Sequence, residues 1–323
     1  MQKTTTFNLK LSLDLRELSQ RYGLVFSFLL LCAVLSLLSD RFLTVSNLVN
    51  VLRQSSINGI IAVGMTYVIL TAGIDLSVGA VLALSAVVTA DLLQRELPVL
   101  LVVAIGLGLG SLLGLINGLF ITKARVPPFV TTLGMMTIAR GLALTYTQGR
   151  PITGLPESFR FIGTGSLGPV PMPILILALT FILGYILLMQ TRVGLYIFAI
   201  GNNPVAARYA GIPLDRYITF VYIVAGLLSS LAGMILIARL GSAQPTAGIA
   251  YEFDAIAAVV VGGTSFAGGE GGLGGTLLGV LFIAVLNNGL NLLNVSSFYQ
   301  PVVTGVVIAL ALLLYRLIRG EAG

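Results

Sequence analysis

The chain is a succession of apolar stretches, each about as long as a helix that crosses a lipid bilayer, separated by short polar breaks. A hydrocarbon core about 30 Å thick takes a helix of about 20 mostly apolar residues. Stretches of that kind fall near 22–39, 57–73, 76–93, 98–122, 128–147, 173–190, 217–238, 252–267, 273–293 and 299–318. Only 9% of the 323 residues are charged and 57% are hydrophobic, against about 25% charged in soluble domains. So little charge would not cover a water-exposed surface of this size. The expected fold is therefore all-α: a polytopic transmembrane bundle of about ten spans, forming one domain over residues 1–323. No polar segment is long enough for a second domain. The first apolar run, 23–38, is not followed by a small-x-small cleavage pattern, so it reads as a span rather than a signal peptide.

Ten spans put both termini on one side, and basic residues choose which. Three lysines and eight arginines, among them Lys123, Arg125, Arg192, Arg208 and Arg216, fall on the side of the ends. Six arginines, including Arg53 and Arg239, fall on the other, and Arg140 falls within a span. The excess places the ends in the cytoplasm. It also accounts for the net charge of +6 without a nucleic-acid partner. Of the two longest loops, 148–172 is then extracytoplasmic and 191–216 cytoplasmic.

Several activities are excluded by residue type. No lysine follows a glycine, so there is no phosphate-binding Gly-x-x-x-x-Gly-Lys-Ser/Thr loop. Histidine is absent and Cys32 is the single cysteine, which removes a histidine base, a disulfide and the usual zinc ligand sets. The carboxylates are scattered. No catalytic residue, metal site or cofactor is expected in the chain, and an intramembrane enzyme has no support.

Five features remain. Gly106, Gly110, Gly114 and Gly118 recur every fourth residue, and Gly275 and Gly279 repeat the spacing. Such a face lets another helix approach closely, whether or not the contact serves transport. In Thr71–Gly79, Asp75 and Ser77 sit between two apolar runs and are able to cap the following helix; this is either a tight turn between spans or a broken helix inside the protein. Asn287, Asn291 and Asn294 share a helix face, with Asn288 beside it. They either bond to neighbouring helices or line a wet path suited to an uncharged, polyhydroxylated solute. Arg239, Glu252 and Asp254 lie at span ends, with Arg140 deeper; intramembrane charge points to function or to an ion pair. Finally, Asn203 is placed to cap a short helix, Pro204 suits its first position and Gly211 its end. A helix of two turns is not stable alone, so it needs a docking partner. A faint repeat aligns Gly73, Gly79 and Leu82 with Gly269, Gly275 and Leu278.

The stretches AVGMTYVILTAGIDLSVGAVLAL, GNNPVAARYAGI, SAQPTAGIAYEFDAIAAVVVGGTSFAGGEG and LNNGLNLLNVSSFYQ resemble the membrane-spanning permease subunits of bacterial ATP-binding-cassette importers for monosaccharides, most of all the ribose permeases. The resemblance runs from about Phe42 to Leu313. It implies a multi-pass protein of the inner (plasma) membrane, paired with a second permease subunit as a homodimer or with a paralogue. It also implies a cytoplasmic double-cassette ATPase that binds ATP and Mg, and a periplasmic sugar-binding protein. The resemblance makes 191–216 the segment that couples to the ATPase, through Asn203, Pro204, Ala206, Ala207, Arg208 and Gly211. Asp75, Asp254, Asn287, Asn288 and Asn291 are the candidates for the path or gate. Two positions depart from the family pattern: Val205 stands where a glutamate often precedes the paired alanines, and Glu270 where ribose-type relatives carry a basic residue. An ion-coupled secondary transporter, a permease for branched-chain amino acids and a membrane protein without transport are the alternatives.

Overall fold

The computed structural model describes residues 23–319, with the backbone alone at 297, 308 and 311–319. Lys3, Lys10, Arg16 and Arg21, used above to orient the chain, lie outside the described residues. Thirteen α-helices follow in order among the described residues. They are α1 (Gly23–Leu38), α2 (Val45–Leu70), α3 (Val78–Gln94), α4 (Val99–Thr122), α5 (Pro128–Thr147), α6 (Glu157–Thr164), α7 (Met172–Met189), α8 (Arg192–Asn202), α9 (Pro204–Tyr209), α10 (Leu214–Leu240), α11 (Tyr251–Val261), α12 (Leu273–Leu292) and α13 (Gln300–Arg319). Two short antiparallel pairings join β1 (Ile152–Thr153) to β4 (Ser242–Ala243) and β2 (Ser166–Leu167) to β3 (Val170–Pro171). Helices α4, α7, α10 and α12 are each long and apolar enough to cross a membrane.

Three expectations about element limits are corrected. The helix that holds the second apolar stretch starts at Val45 rather than near 57, because Thr44 caps it by accepting a hydrogen bond from the Asn47 amide. Its first turns mix exposed residues (Val45, Ser46, Asn50, Gln54) with buried Val51, Ser55 and Ser56. The helix in the eighth apolar stretch ends at Val261 rather than 267. Gly263, at φ +86°, closes α11 with paired bonds from Gly263 N to Val260 O (2.9 Å) and Thr264 N to Val259 O (3.2 Å), the usual glycine stop for a helix. Eleven residues reach only about 16 Å, half of a bilayer core. The two long loops are structured as well: α6 and the strand pairings occupy 148–172, and two helices, α8 and α9, occupy 191–216.

The core is built around α2 and α10. From Ile57 to Leu70, all but one residue of α2 is buried, so this half is enclosed on nearly every face and is central. α10 packs against α2, α3 and α4. The α4 glycines make the last contact possible. A side chain at Gly106 would strike Met234, at Gly110 the Gly226 carbonyl and Ser230, at Gly114 the Tyr222 backbone, and at Gly118 Thr219. The order is reversed along α10, so the helices are antiparallel and touch backbone to backbone. Ser230 Oγ donates to Gly106 O (2.6 Å) across the seam. Gly275 and Gly279 of α12 do the same against the Gly262 and Ala258 carbonyls at α11.

The Thr71–Ser77 break lies inside the protein. Asp75, 1% exposed, accepts at Oδ1 from Ser77 N (2.8 Å) and Ser77 Oγ (2.6 Å). Ser77 Oγ in turn accepts from Asn117 Nδ2 of α4 (3.0 Å). The loop after α11 reaches the same place, where Gly269 N donates to Leu70 O at the end of α2 (2.9 Å). Non-helical backbone is thereby satisfied by protein rather than exposed.

Replacing Gly114 by leucine is expected to lower the thermal unfolding midpoint of the detergent-purified chain or abolish folding, since overpacking costs about 1–3 kcal/mol and here the obstacle is backbone. Gly108→Leu on the same helix, where an added Cβ meets nothing within 4 Å, is expected to melt like the parent. Equal melting of both variants would refute the seam.

Candidate solute site and coupling segment

A cavity of about 310 Å³ lies between α2, α10, α11, α12 and the start of α13. Helix α2 contributes Gln54 and Asn58, one turn apart, and α12 contributes Asn287 and Asn291 with the same spacing. Gln300 closes the α13 side and Arg239 comes from the end of α10. Asp254 enters from the first turn of α11, where unpaired backbone amides favour a carboxylate. The preceding Ala250 takes a left-handed conformation (φ +71°) that turns the chain into this helix.

Five amide side chains, one carboxylate and one guanidinium thus converge. Asp254 Oδ2 accepts from Asn58 Nδ2 (3.2 Å), and the Thr304 hydroxyl also bonds to Asp254. Gln300 Nε2 donates to Asn291 Oδ1 (2.8 Å). The Oδ1 atoms of Asn58 and Asn287 are buried without a protein partner. A buried acceptor left unpaired costs about 1–3 kcal/mol, and a hydroxyl-bearing solute would supply the missing donors. A cavity of about 490 Å³ shares Tyr251, Asp254, Asn287 and Gln300 with the first. Another of about 260 Å³ shares Gln54 and Arg239 and adds Asn50 and Arg53. Polar surface therefore runs along one face of α2 and ends at Asp254.

Of the residues singled out in the sequence, Asp254, Asn287 and Asn291 meet here. Asn288 points away and exchanges two bonds with Asn47 (3.0 and 2.9 Å), fastening α12 to the start of α2. Asn294 lies beyond the end of α12 with φ +57° and so does not continue the stripe. Asp75 sits apart in the buried break. Arg140 donates from Nη1 to Pro245 O and Ala247 O, both 2.7 Å, and thereby holds the loop between α10 and α11. Gln54, Asn58 and Gln300 escaped the sequence reading. Asn47, Asn50, Gln54 and Asn58 share a helix face by spacing, but the apolar stretch taken from 57 onward leaves out all of them except Asn58.

The short helix in 191–216 forms as its punctuation predicts. Asn203 Oδ1 accepts from Ala206 N (2.9 Å), Pro204 is the first helical residue, and Gly211 stands at φ +80°. Bonds from Gly211 N to Arg208 O (3.0 Å) and Ile212 N to Ala207 O (3.1 Å) close the end. Ala207 is buried with Ile200 and Leu214, while Val205, Ala206, Arg208 and Tyr209 are exposed. Just before this helix, Asn202 Nδ2 donates to Gly269 O (3.1 Å). The segment before α9 is therefore bonded to the loop that also holds the end of α2.

The family described as branched-chain amino acid transport system / permease component matches residues 47–314. The chain is 47% identical over 317 residues to the ribose import permease protein RbsC of Haemophilus influenzae, covering 97% of each chain. It is 51% identical over 299 residues to that of Bacillus subtilis, covering 92% of this chain and 93% of the other. Against that of Escherichia coli it is 50% identical over 291 residues, covering 89% and 91%. No solved structure gives a significant match. With a family match over residues 47–314 and similarity to ribose import permeases along nearly the whole chain, the protein belongs to this family of transport permeases.

Proposed function

We propose that the chain is the membrane-spanning subunit of an ATP-driven importer in the bacterial inner membrane, and that a monosaccharide, ribose by the names of its relatives, passes through the cavity beside Asp254. The observation that carries this reading is the pair of unpartnered buried acceptors, Asn58 Oδ1 and Asn287 Oδ1, in a cavity at the lower end of the usual range for small-molecule sites, about 300–1,000 Å³. Sugar hydroxyls both donate and accept, and amides do the same without imposing a net charge. Asp254 and Asn291 complete the lining; Asp75 and Asn288 act on the path through the placement of α3 and α12. The permease crosses the membrane about ten times with both ends in the cytoplasm. In support, Lys123, Arg125, Arg208 and Arg216 gather at one end of the bundle and Arg53 and Arg239 at the other, the α10 ends being about 40 Å apart.

In this reading two copies pair, a periplasmic binding protein delivers the sugar, and a separate cassette ATPase binds ATP and Mg and docks on α9. Docking biases Asn202 and, through Gly269, the end of α2. The coupling is allosteric because ATP and sugar each bind two states unequally. A second reading has a specific basis: Arg239 and Asp254 line one cavity, and opposite charges suit a zwitterionic branched-chain amino acid. Uptake into proteoliposomes that hold the permease, its cassette ATPase and its binding protein separates the two. Labelled ribose is expected to accumulate only with ATP, uncompeted by leucine; accumulation of leucine instead would replace the sugar reading.

In the same assay Asn287→Leu is expected to lower uptake about tenfold, the equivalent of one lost hydrogen bond, with an unchanged melting profile. Normal uptake would return Asn287 to packing. Ala207→Arg forces a charge into the Ile200–Leu214 contact. It is expected to leave ATP hydrolysis in the assembled transporter while cutting uptake at least about tenfold, and retention of both activities would remove α9 from the coupling route.

A further inference from the structure

The tight α4–α10 seam has a consequence at its charged end. Where two helices touch backbone to backbone, the side chains flanking the contact stand out as walls. Beside Gly118 and Thr219 these are Leu119 of α4 and Phe220 and Ile223 of α10, which line a groove of about 910 Å³. The groove ends among Lys123, Arg125, Arg208 and Arg216, with Asp215 as the carboxylate in its lining. Asp215 is engaged by Lys123 (Nζ–Oδ2 3.0 Å). Among the described residues no carboxylate lies in ion-pair range of the three arginines, and all three are exposed.

The level of this cluster in the membrane follows from the helices. Lys123 directly follows α4 and Arg216 lies in the first turn of α10, and both helices are of membrane-crossing length and apolarity. The cations therefore sit at headgroup depth, and the apolar walls below them sit at acyl-chain depth. The chemistry is amphipathic in the same direction as a phospholipid. Guanidinium groups bind phosphate oxygens through paired N–H donors, and basic pockets between transmembrane helices attract anionic headgroups at about 1 kcal/mol per basic residue.

We propose that this groove is a binding site for an anionic phospholipid, with its phosphate held by Arg125, Arg208 and Arg216 and an acyl chain laid on Leu119, Phe220 and Ile223. The site requires only that the chain is membrane-inserted, and it stands whether or not the solute is a sugar. It lies against α9, since Arg208 belongs to both, so the bound lipid borders the coupling segment.

Native mass spectrometry of the full-length permease, delipidated in detergent and titrated with phosphatidylglycerol or with phosphatidylcholine of the same acyl chains, tests the site. Phosphatidylglycerol is expected to be retained about tenfold better. The Arg125→Gln/Arg216→Gln double variant is expected to lose that preference, with its melting profile in lipid-free detergent unchanged. Arg192→Gln, an exposed cation outside the groove, is expected to keep it. Equal retention of the two lipids, or an undiminished preference in the double variant, overturns the proposal. Displacement of the lipid by inorganic phosphate at equal concentration would show that a free anion is the ligand. A double variant that keeps the lipid but no longer co-purifies with the cassette subunit would show that the groove is a protein docking surface.

Discussion

The backbone contact between α4 and α10 is the constraint on which most of the bundle depends. It exists because Gly106, Gly110, Gly114 and Gly118 remove every side chain from one face of α4, and because α10 answers with Gly226, Ser230 and the Tyr222 backbone. In lipid there is no hydrophobic force between helices, so close packing and interhelical hydrogen bonds must supply the attraction. With α10 held in this way, Tyr222 faces the buried break and lies within 3.4 Å of Ile74 O. Arg239 is carried to the polar cavity at one end and Arg216 to the basic groove at the other. One seam thus sets the position of both the polar cavity and the basic groove.

The second organising element is interrupted helix. The ends of α2 and α11 both leave backbone groups that lipid could not satisfy. They are satisfied locally: Leu70 O accepts from Gly269 N, and Asp75 gathers Ser77 and, through its hydroxyl, Asn117. Because Asn202 bonds to the same Gly269, the loop between α11 and α12 is held from both the α2 end and the end of α8 that leads into α9. A displacement of α9 has a short, bonded route to two helices that line the cavity. Spatial continuity of this kind is a physical route for coupling; its energy is a separate quantity.

Some of the arrangement was legible in residue order because it follows from local rules. Apolar run length identifies a membrane protein, glycine spacing identifies a packing face, and Asn203, Pro204 and Gly211 delimit α9 through capping and left-handed backbone preferences. The α2 start was not legible. Its first turns carry Asn47, Asn50, Arg53 and Gln54, which an apolar window reads as loop, and the groups that fix the start, the Thr44 cap and the Asn288 partner of Asn47, are not recognised by such a window. The Asn287–Asn294 stripe was half right for a related reason: spacing predicts a shared face only while the helix lasts, and α12 stops at Leu292.

Residue order by itself determined the solvent of this fold, its helical class, its lack of histidine and of a phosphate-binding lysine loop, and the limits of the short capped helix α9. These depend on side-chain type and on interactions within a few residues. Which polar groups meet was decided by tertiary structure alone. Asn287 and Asn288 are adjacent and chemically identical, yet one lines the cavity with an unpartnered oxygen and the other is fully engaged with Asn47. The physical reason is the 100° turn between successive helical residues: it sends neighbours to different surroundings, and packing between distant segments determines what those surroundings contain.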